Sequence, residues 1–438
     1  MTQHKHLKQL VRARMEKTGE SYAAARRQVV QQAAPIQTQP TSPRHFPGIV
    51  PAAAGLRVLF AHAGILAPHT GQPLSEPMVF GIAGGVGAGV FAFHYEKEDF
   101  SSFYVAGLHL WQDNVAYTKT ACERVGLAPV IQESSGGKSA EKQLLAVLAE
   151  GPVLAWVDMA HLPHRAMPKE NSGMVYHLVT VYEADPAGGT ARIGDLADDP
   201  VEIPLAALAE SRGRIKSQKH RLLNVGRGTG RPLDLEKVVY EGLRACHREL
   251  TSPKMKNFSL EAFKLWADRL HGSGGKESWE RMFPPGHHLW RGLTSIYDCV
   301  ELYGTGGGLL RPLSAEFLAE AADALGDSAL RELGERYAEL GRGWTALANA
   351  ALPSEVPMFR KVKALQAERA EQTLSGDAEG VCGVWKRLGE LAREARECFP
   401  LTAAQAEGLR RDLKARIEKL YEGEVAALQA MASAAAPL

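Results

Sequence analysis

Tyr176-His177-Leu178-Val179-Thr180-Val181-Tyr182-Glu183-Ala184-Asp185-Pro186-Ala187-Gly188-Gly189-Thr190-Ala191-Arg192-Ile193-Gly194-Asp195 is the stretch on which the fold turns. Leu178 to Tyr182 are β-branched or apolar, Asp185 to Gly189 is turn chemistry, and Ala191 to Ile193 resumes an apolar run. That order predicts strand, turn, strand. The pairing sets His177, at the start of one strand, beside Asp195 at the end of its partner. A carboxylate placed so fixes the imidazole tautomer and stabilises its charged form, which suits the pair to proton transfer. Histidine and aspartate at hairpin ends also serve as plain surface or turn residues, so the surroundings have to decide.

The chain has 438 residues, 45% hydrophobic and 23% charged, a globular composition with room for about two to four domains. A formal net charge of +1 provides no overall basic field and argues against nucleic acid or an anionic membrane as partner. Cys122, Cys246, Cys299, Cys382 and Cys398 are scattered without Cys-x-x-Cys spacing, which speaks against a zinc ribbon or a disulfide scaffold. The N-terminus is charged and lacks the apolar core of a signal peptide, and no run of eighteen apolar residues occurs. A cytoplasmic, soluble protein without metal or organic cofactor is expected.

Four regions are expected. Residues 1–31 carry Lys5, Lys8, Arg12, Arg14, Lys17, Arg26 and Arg27 around helical spacing of Leu7, Leu10, Val11 and Met15. They read as a basic helical extension, with Ser21 capping a second short helix. It is either a solvated appendage or a contact for nucleic acid or an acidic partner. Residues 32–45, rich in Gln, Pro, Thr and Ser, read as a linker. Residues 46–225 read as a mixed α/β domain: helix at Ala53 to Ala63, strand after Glu76, strand at Val90 to Tyr95, helices at Asp113 to Val125 and Ala140 to Ala149, and strand at Pro152 to Asp158. The hairpin follows, then a helix at Val201 to Glu210. Residues 233–438 read as all helix, from Leu235 to Met431, in eight amphipathic segments.

Several candidate residues lie along the way. Glu76, beside Ser75 and ahead of the apolar Met78 to Phe80, is expected to be drawn inward, as a partner for the chemistry or as a turn cap. Gly81 to Gly89 has neither dinucleotide nor P-loop spacing, so close packing or a tight turn is favoured. His161-x-x-His164 sits on a Pro-containing loop with no carboxylate or thiol near it in sequence, and reads as surface or packing. Gly304 to Gly308, with Arg311 and a following helix, suits either an anion site or a sharp helix connection.

Taken together, certain segments resemble the family of the butirosin-pathway acyltransferase. They are Leu56 to Gly64, Leu74 to Gly81, Gly151-Pro152-Val153 with Asp158, Leu162-Pro163, His177 to Val181, and Asp195. In the C-terminal half they are Tyr297 to Glu301, Gly304 to Gly308, and Arg311. The resemblance covers about residues 45 to 350 and implies an α+β, papain-like cysteine-peptidase-type domain followed by an all-α domain of uncharacterised role. It implies acyl transfer in specialised metabolism: a cysteine at the start of the first long helix takes an acyl group from a carrier-protein thioester and passes it to a small-molecule amine. His177 would be the general base and Asp195 its orienting partner.

The chain departs from that pattern at the nucleophile. Pro51-Ala52-Ala53-Ala54-Gly55 stands where the family's cysteine is expected, and no Cys, Ser or Thr occurs between Pro43 and Pro68. Cys122, between Ala121 and Glu123, reads as a packed thiol. Three functions fit. In the first, His177 promotes direct attack of an amine on a bound thioester, with Glu76 or the backbone near Ser75, Gly81, Gly84 and Gly85 polarising the carbonyl and Gly306, Gly307 and Arg311 aiding substrate binding. The second is a binding or scaffold protein that keeps the fold without the chemistry. The third is a different acid–base reaction such as a cyclisation, using His177 and Glu76. All the enzymatic readings expect His177 and Asp195 to meet in one cleft facing the start of the first long helix of the α/β domain.

Overall fold

The computed structural model describes residues 2–18, 25–26, 29, 44–97, 99–108, 113–228, 230–253 and 255–435. In chain order, α1 (Thr2–Thr18), α2 (Pro51–His62) and α3 (Glu76–Ala83) precede β1 (Val86–Tyr95) and β2 (Phe100–Leu108). Next come α4 (Asn114–Arg124), β3 (Pro129–Gln132), α5 (Gly137–Leu148), β4 (Val153–Asp158), β5 (Tyr176–Asp185), β6 (Thr190–Gly194), β7 (Val201–Pro204), α6 (Leu205–Arg214) and β8 (Leu222–Val225). The remainder is helical: α7 (Leu235–Thr251), α8 (Glu261–Leu270), α9 (Trp279–Met282), α10 (His287–Glu301), α11 (Arg311–Leu325), α12 (Ser328–Ala351), α13 (Pro357–Leu374), α14 (Ala378–Glu397) and α15 (Ala403–Ala434). The sheet-containing half followed by a helical half is the mixed α/β, then all-α, order expected. Among the described residues no helix is long and apolar enough to cross a membrane. Of the short helix expected after Ser21 only residues 25, 26 and 29 are described, all three helical, and most of the linker lies outside the described residues.

By contacts the chain forms two compact units: Met1–Val79, Thr118–Val238 and Glu368–Trp385 in one, Phe80–Tyr117, Val239–Ala367 and Lys386–Leu438 in the other. The first is built on a six-stranded antiparallel sheet in the order β3-β8-β4-β5-β6-β7. Pleating divides its side chains. Val153, Ala155 and Val157 of β4, Val179 and Val181 of β5, and Ile193 of β6 join Leu144 and Val147 of α5 and Leu208 of α6 in one buried core. The opposite face, with Leu154 and Thr180, is covered by α2, whose Gly55 lies against both.

α2 starts with proline at its first position, where a missing N–H costs nothing. It has no side-chain cap of its own at Val50. Glu76 does that work from a distance: its buried Oε1 accepts from the amides of Ile49 at 2.7 Å and Val50 at 2.8 Å. Glu76 therefore opens a helix, not the strand expected there, because Ser75 Oγ accepts from the Met78 amide at 3.0 Å and caps α3. A second departure is Val201 to Glu210, where β7 runs into α6. Val201 and Ile203 alternate inward as an edge strand before Pro204, and only Leu205 onward has helical spacing. β2, β3 and β8 carry no strong pattern of their own and owe their pairing to neighbours.

In the second unit, β1 and β2 form a two-stranded ribbon. Phe103 of β2 packs on Trp266, Trp279 and Phe283. Gly81 lies in the last turn of α3, where a Cβ would sit 2.2 Å from the Phe317 ring, and Gly84 and Gly85 take positive φ (127° and 64°) in the turn to β1. The glycine run is thus close packing and a tight turn.

A methyl group at Gly55 would sit 2.2 Å from Leu154 Cδ2. Gly55→Ala is expected to lower stability by about 1–3 kcal/mol through overpacking of α2 on the sheet, seen as a lower urea midpoint at unchanged slope.

Candidate functional site

The β5–β6 register pairs Thr180 with Gly194 and Val181 with Ile193. One step further sets Asp195 across from Val179, so His177 becomes its diagonal neighbour on the same face, within reach of a long side chain. The imidazole and carboxylate do meet: His177 Nε2 lies 2.6 Å from Asp195 Oδ1.

Two more basic groups join them, from the short turns that follow β4. His164 Nε2 is 2.7 Å from Asp195 Oδ2, and Arg165 donates through Nε to Oδ2 at 2.7 Å and through Nη2 to Oδ1. Four donors thus surround a side chain with no exposed surface. A carboxylate has about four lone-pair positions, so Asp195 is saturated. The loop reading of His161-x-x-His164 missed this: the carboxylate that holds His164 is 31 residues away in sequence.

The electrostatics follow from the crowding. Burial alone would raise the Asp195 carboxyl, but Arg165, His177 and His164 outweigh it and hold the group well below the usual carboxylate range. Burial is also the largest influence on His177 and lowers its pKa; Asp195 pulls the other way, while Arg165 and His164 add to the lowering. The imidazole is therefore neutral at neutral pH. Because ionised Asp195 only accepts, His177 carries its proton on Nε2, and Nδ1 is the basic nitrogen, without a partner among the described residues.

A narrow cleft opens at the first turn of α2, lined by His45, Pro51, Ala54, Gly55, Leu178, Thr180, Tyr182 and Asp195 among others. His177 is not among its walls. Pleating explains this: Leu178, Thr180 and Tyr182 face α2, whereas His177 projects with Val179 and Val181 to the other face. Asp195, at the strand end, belongs to both the cleft and the charge cluster. The expected meeting of the pair is present, and only the carboxylate residue lines the cleft beside α2. His45, which sequence reading passed over, is fixed there by Tyr182 Oη at 2.8 Å and the Ala197 carbonyl at 2.9 Å. Burial lowers its pKa despite that carbonyl.

Residues 53–196 match the family described as butirosin biosynthesis protein H, N-terminal, and residues 205–378 match a domain of unknown function, DUF4872. Over residues 53–196 the chain is thus similar to the butirosin biosynthesis protein H family. No curated protein matches the chain. The family is papain-like and gives the domain a biosynthetic, acyltransferase-like setting. Against that setting the wall formed by Pro51 and Ala54 offers no nucleophilic atom. Cys122 is fully buried and its thiol is pushed up to about 12 by burial, as a packed residue should be.

The remaining candidates have other work. Glu76 and Ser75 build the junction of α2 and α3. Gly81, Gly84 and Gly85 shape the turn to β1. Gly306 and Gly307 are buried with positive φ, and the Gly308 amide donates to Glu301 Oε1 at 3.3 Å. Arg311 is fully buried, its Nε held by Glu424 at 2.7 Å and Nη1 by the Leu309 carbonyl at 2.8 Å. That geometry makes the glycine loop a helix connection anchored by an internal ion pair.

The His177 ring is expected to titrate below its ordinary 6.5, and Arg165→Gln should move that value upward, as followed by NMR of the imidazole. Asp195→Asn should lower it further and cost about 3–5 kcal/mol of stability, because three basic side chains lose their shared anion. Stability should also fall in acid. Unfolding lets His177 bind a proton that the fold refuses, so acidification below about pH 6.5 favours the unfolded state. Asp195, with its pKa depressed, adds a second loss below about pH 4.

Proposed function

We propose that this protein is an acyltransferase-like component of specialised metabolism that moves an acyl or aminoacyl group from a carrier-protein thioester to a small-molecule amine without an acyl-cysteine at α2. The observation that carries this reading is the His177–Asp195 hydrogen bond of 2.6 Å within a papain-like domain similar to this family. His177 Nδ1 would take the proton from the attacking amine as the C–N bond forms. It would then return it to the departing thiolate as the C–S bond breaks. Asp195 acts as the orienting group, holding the tautomer and stabilising the imidazolium in the transition state.

The positive end of α2 lies at the cleft, on the face of the sheet that His177 does not share, so the helix dipole is given no part in the step at His177. Glu76 is assigned a positioning role, holding the amides of Ile49 and Val50 at the entry of that helix. The proposed partners are an acyl carrier protein and an amine acceptor.

A second reading is supported by the cleft wall itself, which contains Pro51 and Ala54 but not His177. On that reading the cleft binds a carrier arm or a metabolite and performs no chemistry.

His177→Ala separates the two. Acyl transfer predicts that product from an acyl-carrier thioester and an amine panel falls by at least about a hundredfold, while the variant keeps a cooperative unfolding transition at pH 8, shifted to lower temperature by the loss of one donor to buried Asp195. Product formed at the wild-type rate by His177→Ala would overturn the catalytic role of His177. Tight binding of the carrier without turnover by wild-type protein would establish the binding reading instead.

A further inference from the structure

The loop between β4 and β5 and the last turns of α6 bring together a second constellation within the first unit. Ser172 Oγ lies 2.7 Å from His161 Nε2, and His161 Nδ1 lies 3.0 Å from Glu210 Oε1. On the other side of the hydroxyl, Arg214 donates from Nε to Ser172 Oγ at 2.6 Å. Glu210 and Arg214 are four apart on α6, the spacing at which opposite charges commonly pair with each other. Here each reaches outward, the carboxylate to the imidazole and the guanidinium to the hydroxyl.

The hydrogen-bond directions are determined by chemistry. Arg214 can only donate, so Ser172 Oγ accepts from it and gives its own proton to His161 Nε2. The imidazole then carries its hydrogen on Nδ1, pointing at Glu210. That is hydroxyl to base to carboxylate in order, with both contacts inside hydrogen-bond reach. Ser172 and His161 are half-buried, open enough for an acyl group to approach.

We propose that Ser172, His161 and Glu210 form a serine acyl-acceptor site for activated acyl esters and thioesters. Its residues are distinct from the His177–Asp195 pair, and it goes beyond the reading built on that pair. Ser172 Oγ attacks the acyl carbon while its proton passes to His161 Nε2. The C–O or C–S bond of the donor breaks, and the departing alkoxide or thiolate takes that proton. Water then attacks the acyl-serine ester, gives a proton to His161, and releases the carboxylic acid as Ser172 Oγ recovers the proton. Arg214 holds Oγ through Nε, and its two Nη groups have no partner among the described residues, which suits them to the developing oxyanion.

The full-length protein treated with an alkyl fluorophosphonate tests this, with adducts mapped by peptide mass spectrometry. Phosphonylation at Ser172 is expected, with loss of fluoride, and it should be roughly a hundredfold slower in His161→Ala. Ser172→Ala should remove the adduct, and Ser172→Cys should restore acyl-adduct formation with a p-nitrophenyl ester. A wild-type protein unmodified at Ser172, or one modified equally fast with and without the His161 imidazole, would overturn the site.

Discussion

A single buried carboxylate organises the sheet half of this protein. Asp195 has no exposed surface and receives hydrogen bonds from His164, His177 and twice from Arg165. An anion so placed is tolerable only when its lone pairs are all engaged. The requirement ties the end of β6 to the start of β5 and to the turn after β4. It also sets the His177 tautomer. His161 stands just before that turn and Ser172 a few residues after it, so the charge cluster and the serine constellation share a scaffold.

The chemistry of the family has to be reconsidered around what α2 lacks. Proline and alanine at its first turn cannot attack a carbonyl, yet the helix keeps its place against Leu154 and Thr180 and its entry is held by Glu76. What persists is a helix end with a positive dipole and a neutral imidazole on an ionised aspartate. The imidazole and its aspartate can move a proton, which direct aminolysis of a thioester demands, whereas the helix end stands on the other face of the sheet. Ser172, fixed by His161 and Arg214, supplies a nucleophile outside the helix.

In the second unit the motif that invited an anion is answered from within. Arg311 and Glu424 pair in the core, with Trp344 donating to the same carboxylate oxygen at 2.8 Å. Glu301, nearly fully buried, has its pKa raised by burial even though Thr345 and the Gly308 amide donate to it. Glycines there allow positive φ and close approach to α12, where a Cβ at Gly308 would meet Gly341. A glycine run beside an arginine looks the same in sequence whether it cradles a phosphate or turns a buried corner. The difference lies in Glu424, more than a hundred residues away.

The local grammar of the chain determined a good deal unaided. Alternation and turn residues from Tyr176 to Asp195 specify a hairpin, and a hairpin of that length sets His177 beside Asp195. Amphipathic spacing specifies the helices from Leu235 onward, and the absence of a nucleophile from Pro43 to Pro68 needs no coordinates. These are short-range properties, carried by neighbours in sequence. Tertiary structure decided the rest, because the partners are distant: His164 and Arg165 on Asp195, Glu76 on the entry of α2, Glu424 on Arg311, and Glu210 and Arg214 on His161 and Ser172. Pleating likewise turned His177 away from the helix its neighbour Leu178 faces, since which side of a strand meets which helix depends on how the sheet is covered.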